Sequence, residues 1–104
     1  MSAPDEKIEI RNVNAPGRTE RVNRVKYDAM RAALLAVLPD RAPGATVADI
    51  KSALLPHLPG DLYPEGKTAG WWLKAVQLDL EARGIIARSL TKPIRLYRGG
   101  SGGI

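Results

Sequence analysis

The 104-residue chain reads as an α+β domain in which three helices lead directly into a basic two-stranded hairpin, with an extra short strand at the front. Three patterns predict this. Apolar residues recur at helical spacing in three separate segments. Gly84 closes the last of these immediately before two aliphatic runs separated by Thr91-Lys92-Pro93. Near the start, Ile8 and Ile10 alternate with Lys7, Glu9 and Arg11 in the two-residue period of a half-buried strand.

Asn14-Ala15-Pro16-Gly17 breaks the front strand as a turn. The first helix is expected from Thr19 or Asn23, either of which can cap it, to Leu38. Tyr27, Met30, Leu34, Val37 and Leu38 share one face, and Pro39 stops the helix. Pro43-Gly44-Ala45 is a connector with room for a strand of one or two residues at most. Thr46 caps the second helix, and Asp49 complements the exposed N–H groups of its first turn. Val47, Ile50, Leu54 and Leu58 continue the apolar stripe, with Pro56 forcing a stop or kink near Leu55. Residues 56–66 are a Pro- and Gly-rich loop anchored by Leu62 and Tyr63. The third helix runs from Lys67 or Thr68 to Gly84, a residue suited to a left-handed cap. Residues 85–90 and 94–98 then pair as a hairpin. This divides the chain into a front strand and turn (1–17), a three-helix and hairpin domain (18–98) and a flexible Gly/Ser tail (99–104).

Three helices running into a basic hairpin resemble the winged-helix domain. The phrase Leu80-Glu81-Ala82-Arg83-Gly84-Ile85-Ile86 looks like the end of a winged-helix recognition helix entering its first wing strand. The resemblance covers residues 26–98 and implies nucleic-acid binding. Two departures stand beside it: some ten Pro- and Gly-rich residues separate the second and third helices, and the front strand is additional. The stretch Gly70-Trp71-Trp72-Leu73-Lys74 with Val76-Gln77-Leu78-Asp79-Leu80 is also similar to that of a small uncharacterised bacterial family, a likeness that brings no activity with it.

Charge favours the same class of partner. The net charge is +5, with residues 11–31 holding six basic side chains against two acidic ones. Residues 83–98 hold Arg83, Arg88, Lys92, Arg95 and Arg98 with no acid at all. Two basic regions around a mildly acidic middle form the footprint of a polyanion binder, or simply a soluble surface. Cysteine is absent and His57 is the single histidine, which excludes disulfides, thiolate nucleophiles and cysteine zinc sites. No apolar run approaches the ~20 residues of a membrane span, and the acidic Asp5-Glu6 start does not suit a signal peptide. A soluble, cytoplasmic protein without membrane contact is expected.

The third helix has three faces. Ala69, Trp72, Leu73, Val76, Leu80 and Arg83 gather on the core side, with Arg83 able to snorkel from its end. Lys67, Gly70, Lys74, Gln77 and Glu81 form a polar side. Lys74 and Gln77 there suit base edges or phosphates, although Glu81 opposes them and a plain solvated face has the same composition. Trp71, Ala75, Leu78 and Ala82 form a third, apolar side. Its expected cover is the front strand or the long loop, with a partner or second copy next and base stacking on Trp71 last.

Other motifs fail on spacing. Gly60 to Thr68 approaches a phosphate-binding loop but has one residue too many between its glycines and a proline among them. Its Gly66-Lys67-Thr68 end still suits one backbone phosphate. His57, Asp61 and Glu65 make a poor metal trio, Ser52 with His57 lacks a third group, and Asp79 and Glu81 point apart on the helix. No catalysis, cofactor, metal or small-molecule substrate is expected. The expected function is duplex-DNA binding, as in a transcription regulator, through Lys67, Thr68, Lys74 and Gln77 on the helix and Arg88, Lys92 and Arg95 on the hairpin. The rival is a protein-interaction or homodimerisation module acting through Trp71 and Leu78.

Overall fold

The computed structural model describes residues 6–99. Its elements are β1 (Lys7–Arg11), β2 (Thr19–Asn23), α1 (Arg24–Val37), β3 (Ala45–Thr46), α2 (Val47–Leu54), α3 (Ala69–Ala82), β4 (Ile86–Ser89) and β5 (Arg95–Arg98). Strands β1 and β2 form one antiparallel pair, and β3-β5-β4 form a second small antiparallel sheet. The architecture is therefore α+β, with three helices, two small antiparallel sheets, a C-terminal hairpin and an N-terminal strand.

The N-terminal strand is half of a hairpin. Of the two expected helix starts Asn23 is the one used: residues 19–23 pair with β1, placing Ile8 opposite Val22 and Ile10 opposite Glu20. Val22 and Ile10 are both buried, and that burial outweighs the charged neighbours of Val22 that hide a strand from a periodicity reading. The boundary placed after residue 17 falls inside this hairpin. Asn14 to Gly17 form its turn, with Gly17 at φ 88° and the Asn12 side chain accepting the Asn14 N–H at 2.8 Å. Asn23 is then the cap of α1, its side chain accepting the Lys26 N–H at 3.0 Å.

Further along, the elements follow local chemistry. The Thr46 hydroxyl accepts the Asp49 N–H at the start of α2. Helix α2 ends at Leu54 and tightens into a 3₁₀ turn at Leu55–His57, where Pro56 forbids continuation. In the loop that follows, Tyr63 is buried and its hydroxyl donates to the Lys26 carbonyl at 2.8 Å, while Leu62 is half-buried. The two-residue β3 pairs with β5 because Gly44 precedes it: a β-carbon there would stand 2.0 Å from the Leu96 carbonyl oxygen. The Arg98 N–H donates to the Pro39 carbonyl, tying β5 to the exit of α1. Gly84, at φ 76°, turns the chain from α3 toward β4. One core joins all of this, with Tyr27, Met30 and Leu34 of α1, Ile50 and Leu54 of α2, and Trp72, Leu73, Val76 and Leu80 of α3. No described helix is long and apolar enough to cross a membrane. The tail assigned to residues 99–104 lies outside the described residues except for Gly99.

Candidate nucleic-acid interface

Helix α3 is buried on nearly every side, so what it exposes is informative. Its core stripe is as expected, with Trp72 only 8% exposed. Its exposed positions are Gly70, Trp71 and Lys74, all in the first two turns, and Lys67 and Thr68 precede them, also exposed. Among the described residues, Lys67 and Lys74 have no ion-pair partner. The Lys51 ammonium of α2 reaches over Gly70, 3.4 Å from where a β-carbon would stand. Thr68 caps nothing with its side chain; its hydroxyl donates to the Lys67 carbonyl at 2.6 Å. Thr68 at φ 62° and Glu65 at φ 55° both hold left-handed backbone, a strained run leading into the exposed turn.

Two of the expected contacts are corrected. Gln77 is 3% exposed and faces no solvent. It lies one turn before Glu81, on the side where β4 packs against α3. Arg88 of β4 donates to both carboxylate oxygens of Glu81, at 2.9 and 2.7 Å. Those hydrogen bonds raise the guanidinium pKa further and fix its charge internally. The hairpin as a whole is less basic than its sequence. Arg83 pairs with Asp79, Arg88 with Glu81 and Arg98 with Asp40. Arg95 is half-buried and donates to the Gly44 carbonyl at 3.2 Å, leaving Lys92 fully exposed near the tip.

The third face of α3 is split. Leu78 is buried, and its carbonyl accepts the Val13 N–H at 3.3 Å, so the N-terminal hairpin covers that end as expected. Trp71 remains 52% exposed, its ring edge-to-face with Trp72 at 5.1 Å and 80°.

Asp79 was missed by sequence reasoning. Its fully buried carboxylate accepts the Arg11 backbone N–H at 2.8 Å, the Tyr27 hydroxyl, and the Arg83 Nε at 2.9 and 3.0 Å. Arg83 also donates to the Glu9 carbonyl at 3.2 Å. One carboxylate thus latches β1 onto α1 and α3. Burial, then the bond to Asp79, raises the Tyr27 phenol well above its ordinary pKa, and burial does the same to Tyr63. The available signal was the i,i+4 spacing of Asp79 and Arg83.

Between the hairpin and α3 lies a cleft of about 360 Å³, lined by Ile10, Arg11, Asn12, Ala15, Arg18, Thr19, Glu20, Trp71, Lys74, Ala75 and Leu78. Arg11, Arg18 and Lys74 make no ion pair there. Elsewhere, His57, Asp61 and Glu65 do not converge: among the described residues no three His, Asp or Glu side chains gather closely enough to hold a metal ion.

A protein-family model described as a family of unknown function (DUF6958) matches residues 7–96, and the chain belongs to that family. No curated protein and no solved structure matches it.

Proposed function

We propose that this DUF6958 member is a nucleic-acid-binding domain, with duplex DNA as its target. The observation that carries the reading is the exposed start of α3. An otherwise buried helix presents Gly70, Trp71 and Lys74, with Lys67 before them, Lys51 beside them and Arg11 and Arg18 across the cleft, and among the described residues no cation of that group is in an ion pair. Cations without partners are available to phosphates, which supply most of the affinity of such complexes and all of its salt dependence. Lys67, Lys74 and Lys51 are the principal phosphate contacts, with Lys92 a further one on the C-terminal hairpin. Gln77, buried, and Arg88, paired with Glu81, take no part.

Fluorescence anisotropy with a labelled duplex at about 50 and 200 mM salt tests the reading. Four neutralised phosphates correspond to a log–log salt slope of about −4, and Lys67→Ala with Lys74→Ala flattens it by about 2. Absence of duplex binding at about 50 mM salt overturns it. The exposure of Trp71 supports a second reading, a partner or homodimer contact. A sedimentation coefficient that rises with protein concentration favours that alternative.

A further inference from the structure

We propose that the cleft between the N-terminal hairpin and α3 receives an unpaired nucleotide, its base against Trp71 and its phosphate between Arg18 and Lys74. This makes the protein selective for duplex carrying a single-stranded end. The inference rests on the nucleic-acid reading above and concerns which form of nucleic acid is held.

Three features of the cleft converge on a base with a phosphate. The first is the ring. Trp71 is half-exposed, but its partner Trp72 is buried, and the edge-to-face contact between them restrains the Trp71 indole. A ring held in place loses little freedom on stacking, so the gain from a base laid on it is kept. The second is the wall. Ala75 and Ala15 are small, leaving depth beside the indole, and the buried Leu78 and Ile10 give the cleft an apolar floor. The third is charge. Arg11, Arg18 and Lys74 line the rim without ion pairs, against Glu20 as the one acid among the lining residues. Apolar floor, flat aromatic wall and cationic rim together match a base that carries a phosphate.

Stacking selects the unpaired form. Inside a duplex each base face is covered by its neighbours, so the half-exposed Trp71 ring can receive only a base that has left the stack. The exposed lysines at the start of α3 adjoin it, so a duplex lying on them can send a frayed or overhanging strand into the cleft.

The test compares a blunt duplex with the same duplex carrying an overhang of about five thymidines, by anisotropy and by tryptophan quenching. The parent should bind the overhang form about 5- to 100-fold more tightly, with quenching. Trp71→Ala should abolish that advantage, whereas Trp71→Phe should retain most of it and remove the quenching. Trp71→Phe keeps the test decisive should the alanine variant lose its fold. If neither probe binds, the nucleic-acid reading itself falls. If the blunt duplex binds and the overhang adds nothing, or if Trp71→Ala keeps the advantage, only the cleft proposal falls. Thymidine monophosphate matching the overhang in quenching would overturn it in favour of a free nucleotide. Concentration-dependent sedimentation relieved by Trp71→Glu would overturn it in favour of a second copy.

Discussion

Each of the two hairpins carries four basic side chains: Lys7, Arg11, Arg18 and Arg21 in the N-terminal one, Arg88, Lys92, Arg95 and Arg98 in the C-terminal one. In the C-terminal hairpin two of the four are in ion pairs, with Glu81 and Asp40, and Arg95 is turned to the Gly44 carbonyl. In the N-terminal hairpin none is in an ion pair with another described residue. The reason is the way each is attached. The C-terminal hairpin is joined to α3 through a surface arginine, whereas the N-terminal one is held through the Arg11 backbone N–H on Asp79 and the Glu9 carbonyl on Arg83. Docking by main-chain groups leaves side-chain charge for a partner. Local charge density in a sequence therefore overstates one hairpin and understates the other.

Removing the N-terminal attachment should have the largest effect. Asp79→Ala takes the carboxylate from three donors and leaves Arg83 without its pair, which should cost about 3–5 kcal/mol. Thermal or denaturant unfolding measures it, and proteolysis should strike first within residues 6–23. A variant as stable as the parent would show that the hairpin is held by packing alone.

The C-terminal attachment should be weaker. Arg88→Ala leaves the nearly buried Glu81 carboxylate without its donors, at about 1–3 kcal/mol. Arg88→Ala costing more than Asp79→Ala would invert the comparison.

Alkali should act at both buried phenols, Tyr27 beside the first hairpin and Tyr63 in the loop before α3. The Tyr27 phenol is raised above the ordinary tyrosine value of 10.0. Between that value and the folded one, the unfolded chain releases a proton that the folded chain keeps, so stability is full below about pH 10 and falls as pH rises. Tyr27 contributes a loss of about 1.4 kcal/mol per pH unit in that window, which Tyr27→Phe removes. Melting temperatures between about pH 9 and 11 for parent and variant provide the check.

On the binding side, Arg11→Ala with Arg18→Ala should reduce the salt slope of overhang binding by about 1 and leave that of the blunt duplex near the parent's, and Arg88→Ala should leave both unchanged in protein that remains folded. A larger change from Arg88→Ala would return the interface to the C-terminal hairpin.

What was legible in the sequence was local. Thr46 with Asp49, Pro56, Gly84 and the helical stripes each act over a few residues, and each places an element correctly. Strand β2 was hidden because only Val22 of its five residues is buried, so no alternation announces it. Gln77 looked exposed because a helical wheel knows nothing of the strand packed beside it. The Arg88–Glu81 pair spans a helix end and a turn, which made the hairpin seem free of acid. Asp79 was hidden for the opposite reason, since its polar type says surface and two of its partners lie 52 and 68 residues away. The open Trp71 and covered Leu78, two turns apart on one line, are separated only by where the N-terminal hairpin ends.

That latch also imposes an order in time. A chain leaving the ribosome presents residues 7–23 well before their anchors Asp79 and Arg83, and a lone two-stranded hairpin is marginal in water. Contacts across so many residues close late, after the local turns and helices have formed. The hairpin thus waits for residues made long after it, and during that interval the nascent chain carries its four basic side chains on an untethered arm.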